Sequence, residues 1–117
     1  MAEIRNLTSH PVQLLGGGME RLRRFEPAAP HEMARADIYW NEVDEIDGVR
    51  TLRMTMGTPK NLPAPREGVW LIVSSLTAQA AEASDRTTMD LLVPAKMIFG
   101  ENGPVGCRAL SIYGLKE

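Results

Sequence analysis

Apolar and polar residues alternate most regularly in the middle of this chain. Ala34, Ala36, Ile38 and Trp40 alternate with Arg35, Asp37 and Tyr39, the two-residue period of a half-buried strand. Asp47-Gly48 follows, a pair suited to a type I′ turn because both of its central residues take positive φ. Beyond it Leu52, Met54 and Met56 alternate with Thr51, Arg53 and Thr55, so a hairpin from about Met33 to Met56 is predicted. The parity slips near Val43, which predicts a bulge in the first arm.

A different pattern begins at Gly68. Val69 to Val73 is apolar at every position, as a central strand covered on both faces should be. Ser74 or Ser75 can cap an alanine-rich helix from Leu76 to Ala83, ending before Asp85. Leu91 to Val93 reads as a short strand ended by Pro94. Lys96 to Phe99 and Val105 to Tyr113 read as a hairpin around Gly100 to Pro104. At the start, Ile4 to Thr8 and Val12 to Leu15 are two extended pieces separated by a bend at Ser9-His10-Pro11. Gly16-Gly17-Gly18 is a turn, and Glu20 to Phe25 a strand or a helical turn.

The elements add up to an α+β, strand-dominated fold: a twisted antiparallel sheet or partly closed barrel with one short helix packed on it. The expected core is Trp70, Leu71, Ile72, Val73, Leu91 and Val93, joined by Ile38, Trp40, Leu52, Met54, Leu110 and Ile112. A length of 117 residues suits one domain over 1–117 with a single core. Ten glycines and eight prolines favour many turns and short strands.

Thirteen basic against fifteen acidic residues leave a net charge of -2, which argues against sequence-independent nucleic-acid binding. Cys107 is alone, so neither an internal disulfide nor an all-cysteine metal site can form, and a reducing cytoplasm is the expected compartment. The N-terminal residues from Met1 to Asn6 carry no apolar run like a signal peptide, and Val69 to Val73 is far short of the ~20 residues of a membrane span.

Few residues suggest chemistry. His10 has two readings: a general base or ligand contact, or a polar cap bonding backbone at the turn before Pro11. His31, beside Glu32 in a proline-rich loop, reads as solvated. Arg86 and Asp90 flank the approach to Leu91-Leu92-Val93 and can either fix a loop, with Arg86 bonding the helix's last carbonyls, or line a pocket. Arg21, Arg23 and Arg24 form one basic cluster, and Arg50, Arg53, Lys60 and Arg66 another, diluted by Glu20, Glu26 and Glu67. Clusters of this size are usually solvated faces; on one shared face they would suit an acidic partner or a phosphate-bearing ligand. Glu42, Asp44, Glu45 and Asp47 are either a protein-binding edge or an edge kept soluble by charge. No G-x-x-x-x-G-K, H-E-x-x-H or G-x-S-x-G occurs, and no metal site or cofactor is expected.

Taken together, Asn6-Leu7-Thr8-Ser9-His10, the strand Val69 to Ser74, Asp90-Leu91-Leu92-Val93-Pro94 and Gly106-Cys107 resemble the motifs of an uncharacterised family of small proteins from bacteriophages, prophages and bacterial genomes. That family shows N-L-T-P-H, G-V-x-x-I-V-S, R-x-D-L-L-V-P and a closing G-C. Ser9 replaces the family's proline, and Thr87-Thr88-Met89 lengthens the gap between Arg86 and Asp90. The resemblance implies origin and carries no activity.

The leading expectation is therefore a phage or prophage accessory protein that binds a host or phage protein stoichiometrically, inhibition of a bacterial defence system such as CRISPR being one form. Asn6, His10, Arg86, Asp90, Glu42, Asp44 and Glu45 are its candidate binding residues. The alternatives are a small enzyme or nucleotide-binding module using His10 and Asp90, and a minor virion or assembly component. Self-association stays open.

Overall fold

Nine regular elements make up the computed structural model, which describes residues 2–114; what was expected of Met1 and of residues 115–117 lies outside it. They are β1 (Glu3–Asn6), β2 (Val12–Leu15), β3 (Arg21–Phe25), β4 (Ile38–Ile46), β5 (Val49–Met56), β6 (Val69–Ile72), α1 (Ser75–Ala83), β7 (Leu91–Gly100) and β8 (Gly103–Ile112). Six strands form one sheet in the order β1-β6-β7-β8-β2-β3, and β4 and β5 pair only with each other.

The fold is strand-dominated with one helix, as the pattern implied, but the sheet is mixed rather than antiparallel throughout. β1 and β7 both run parallel to β6, β8 is antiparallel to β7, and β2 is parallel to β8 and antiparallel to β3. The cause is the helix between β6 and β7. A helical crossover carries the chain back to the end where β6 began, so the next strand runs in the same direction.

Helix α1 is set by its ends. Ser74 is the N-cap, its Oγ accepting from the Thr77 amide at 3.1 Å. At the other end Asp85 takes φ of 63°, its amide donating to the Glu82 carbonyl while the Arg86 amide donates to Ala81. This is the two-bond left-handed close that glycine usually supplies. The backbone of Arg86 thus meets the last carbonyls, which had been expected of its side chain.

Strand β6 divides the core in two. Leu71 and Val73 pack with Leu91, Leu7, Ala34, Ala78 and Ala81 on the helix side. Ile72 packs with Leu92, Val12, Phe25 and Cys107 on the other, flanked by half-buried Ile4, Trp70, Leu110 and Ile112. Successive side chains of a strand point to opposite faces, so an unbroken apolar run is what two covered faces require. Val93 is half-buried as well.

Two further expectations are corrected. Strand β7 does not end at Pro94 but runs on to Gly100, with Pro94 opposite Leu110. The Leu92 carbonyl accepts from Val73 and therefore points toward β6, while that of Leu91 accepts from Tyr113 on the β8 side. Pro94, two residues on from Leu92, turns its nitrogen toward the space that β6 leaves after Ile72, where no amide is needed. Second, the hairpin's apolar residues are not core: Trp40 is 62% exposed, Leu52 38% and Met54 39%. The turn itself forms as expected, with φ of 53° at Asp47 and 77° at Gly48, and the register shifts between Glu42 and Asp44 at the bulge around Val43.

Close approach explains one glycine. A Cβ on Gly106 would stand 2.8 Å from Leu15 Cδ1 and 2.9 Å from the Gln13 carbonyl oxygen, so only glycine lets β8 and β2 meet there.

Candidate functional site

Asn6 ends β1 and is buried. Its Oδ1 accepts from the Thr8 amide at 2.9 Å and from Thr8 Oγ1 at 2.6 Å, an Asx turn that reverses the chain. Its Nδ2 donates to the His10 carbonyl at 2.9 Å and to the Phe25 carbonyl at 3.3 Å. Both ends of the amide are thus spent on backbone and turn. The candidate residue Asn6 is a clamp that shapes the loop carrying His10.

His10 itself is exposed. With Thr8, Gln13, Arg24 and Ser74 it rims a cleft of about 570 Å³, whose floor and walls include Val12, Val73, Pro94, Met97, Val105 and Cys107. The size falls within the range of small-molecule sites. Its polar groups do not form a catalytic set. Ser74 Oγ is bound into the helix cap, where it contacts Thr77 Oγ1 at 2.9 Å. Arg24 Nε donates to Glu26 at 2.7 Å. Burial pushes the Cys107 thiol above the ordinary thiol range, the opposite of what activates a nucleophile. Gln13 and Met97 carried no signal in the sequence, and Arg24 and Cys107 were noted there without being placed together, because the strands that bring the four to one cleft are far apart in the chain.

Arg86 and Asp90 do meet. Nη1 donates to Oδ1 and Nη2 to Oδ2, each at 3.0 Å, with side chains only 15% and 14% exposed. The guanidinium also donates to the Pro63 carbonyl at 2.6 Å and to that of Thr87 at 2.7 Å. The fork therefore ties the proline-rich connection to the helix–β7 joint and fixes a loop. The three-residue spacer is no obstacle: it brings the pair to an i,i+4 separation.

The structure does not bring Asp90 to His10. Asp90 immediately precedes β7, its carbonyl accepting from Leu71, and its side chain borders a small depression with Arg5, Pro63 and Val69. His10 lies beyond the opposite, C-terminal end of β1, and the two depressions share no residue. Among the described residues no group of three or more His, Cys, Asp or Glu side chains gathers to hold a metal ion.

The remaining candidates, Glu42, Asp44 and Glu45, all stand on the β4–β5 arm. Every residue from Tyr39 to Arg50 is exposed. The register sets Trp40 opposite Met54, Ile38 opposite Met56 and Glu42 opposite Leu52, so one face of the ribbon carries Trp40, Leu52 and Met54 as an open apolar stripe. Glu42 and Arg50 form an ion pair across the strands beside it. The root is held by the Arg35–Lys60 bridge, by Gly57 N donating to the Asp37 carbonyl at 3.0 Å, and by a 2.6 Å Lys60–Asp37 ion pair. Lys60 holds the Asp37 carboxyl below its ordinary value. The radius of gyration, 16.6 Å, exceeds the ~13 Å of a compact chain of this length. Sequence reading placed the hairpin correctly and missed its exposed face. The hint was there, since Tyr39, Val43, Ile46 and Val49 put further apolar side chains out of phase with the stripe.

No family model, curated protein or solved structure matches the chain. Among the described residues no helix is long and apolar enough to cross a membrane.

Proposed function

We propose that the protein acts by stoichiometric binding, gripping a protein partner with the β4–β5 arm. The observation that carries this reading is the Trp40–Met54–Leu52 stripe, held in the open on a ribbon that touches little but its own root. A two-stranded ribbon is at best marginal in water, and a contiguous exposed apolar patch is the ordinary mark of an interface. Tryptophan and methionine are enriched at such contacts. The arm carries four carboxylates, Glu42, Asp44, Glu45 and Asp47, against Arg50 and Arg53, so the partner it suits offers an apolar groove with a basic rim.

The setting that fits is a phage or prophage accessory protein working in the host cytoplasm, with a bacterial defence system such as CRISPR as the target. The family resemblance supports it. The sheet in this reading is a partly closed barrel, its seam the Asn6–Phe25 and Thr8–Ala28 bonds, serving as a rigid platform for the arm.

The test is a phage-plating assay on a host with an active defence system, run beside capture of the target by purified chain. Wild type should restore plating and form a complex of defined stoichiometry. Trp40→Ala with Met54→Ala should weaken that complex by about thirty-fold or more, as loss of an interface anchor does, with an unchanged melting temperature. Wild type without effect across defence systems would remove the setting. Full activity in the double variant would remove the arm.

A further inference from the structure

The arm's apolar face is not its only open surface. In a two-stranded ribbon both outer edges are unpaired, and here they differ in charge. Strand β4 carries Glu42, Asp44 and Glu45, with Asp47 at the tip, whereas β5 carries Arg50 and Arg53. Glu42 is satisfied by Arg50, but among the described residues Asp44, Glu45 and Asp47 have no ion-pair partner.

The main sheet has a matching edge. Strand β3 ends the strand order and, among the described residues, pairs only with β2. Arg21, Leu22, Arg23 and Arg24 are all exposed, Leu22 at 64%. Arg24 is held by Glu26 and Arg23 lies over the Phe25 ring at 4.4 Å, yet neither Arg21 nor Arg23 has an ion-pair partner among the described residues. The edge is charged and its register shifts opposite Leu14 and Leu15, features that turn away most strands, but its outward backbone groups stay open to a strand of opposite charge.

We propose that two copies of the chain exchange arms about a two-fold axis, the outer half of β4 in each copy lying along β3 of the other. Three features select this pairing. Unpaired acids meet unpaired arginines, whereas β4 against β4 would set acids on acids and β5 against β5 arginines on arginines. Val43, half exposed at the bulge, supplies an apolar contact for Leu22. The exchange is reciprocal, so it closes at two copies and removes two open edges from each, where a one-way contact would propagate. Only Val43 to Ile46 are needed to match the four exposed residues Arg21 to Arg24 of β3. Trp40 and Met54, nearer the root, stay free for the partner, so the dimer would present two copies of the apolar face. This inference goes beyond the proposed function: it shares the carboxylates Asp44 and Glu45 with that reading but not the apolar face of Trp40, Leu52 and Met54.

The experiment is sedimentation equilibrium on the full chain. Wild type should be a dimer at roughly 100 μM, with affinity falling at least about tenfold between low salt and ~1 M salt. Asp44→Arg with Glu45→Arg should be monomeric, and so should Arg21→Glu with Arg23→Glu. Mixed in equal amounts these two chains should form a heterodimer, because each reversed arm then meets a reversed edge and each native arm a native edge. A chain carrying all four substitutions should dimerise with itself. Hydrogen exchange on wild type gives an independent reading if a variant fails to fold: amides of Arg21 to Arg24 and Val43 to Ile46 should gain protection as concentration rises. A monomeric wild type, undiminished dimer in either reversed variant, a mixture that stays monomeric, or protection confined to other strands would overturn the proposal. Partner capture through Trp40 and Met54 is read separately, so either idea can fail alone.

Discussion

The side-chain amide of Asn6 donates to the carbonyl of Phe25 across 3.3 Å, joining the first strand in the sheet's order to the last. β1 and β3 stand at opposite ends of that order, yet this contact, with Ala28 N donating to the Thr8 carbonyl at 3.0 Å, brings them together at one end. The same amide shapes the turn that holds His10 at the cleft's rim.

Asn6→Ala should cost about 1–3 kcal/mol, because the Thr8 amide and the Phe25 carbonyl lose a partner in a semi-buried setting. Asn6→Asp should rescue it only in part, since a carboxylate still accepts from Thr8 but cannot donate to the His10 and Phe25 carbonyls. Urea denaturation midpoints of the three chains check this, and wild-type stability in Asn6→Ala would show the clamp to be dispensable.

Arg86→Met should also lower stability, by about 1–3 kcal/mol, through the carboxylate and the Pro63 carbonyl left without their donors. Asp90→Asn in the same background should recover part of the loss by removing the stranded charge. Additive losses in a double-mutant cycle would mean that the fork carries no coupling.

The root of the arm should respond to acid. Lys60 depresses the Asp37 carboxyl below its ordinary 3.8, so the folded state favours the ionised form. The contribution is present above the unfolded carboxylate's pKa and is lost as pH falls through the folded value. Asp37 carboxyl shifts followed by NMR should titrate below 3.8 in wild type and return toward it in Lys60→Met; titration at or above 3.8 in wild type contradicts the pairing.

Cys107 should behave as an inert core thiol. Burial raises its pKa, and its Sγ contacts the Gln13 carbonyl at 3.7 Å. A disulfide-exchange reagent at neutral pH should label it orders of magnitude more slowly than a free thiol, the rate rising as urea unfolds the chain. Rapid labelling without denaturant would place the thiol in solvent.

Much of this molecule is determined locally and could be read from the chain. Asp47-Gly48 dictates its turn because both residues accept positive φ, Ser74 caps α1 through a bond three residues long, and the unbroken run Val69 to Val73 announces a strand covered twice. Strand direction was not legible, since alternation has the same period in parallel and antiparallel strands; the crossover through α1 decided it. Nor could Pro94 be placed without knowing that β6 stops at Ile72 and leaves its nitrogen unopposed. The Arg86–Asp90 fork was visible as a pair, but only the approach of Pro63, 23 residues away, made it a loop clamp. The deepest divergence is the arm. A period of two reports that one face of a strand is apolar and says nothing about what covers it, because burial depends on residues distant in the chain. In β6 that cover is the helix and the opposing core; over Trp40 and Met54 it is solvent, and that difference was made by the tertiary structure alone.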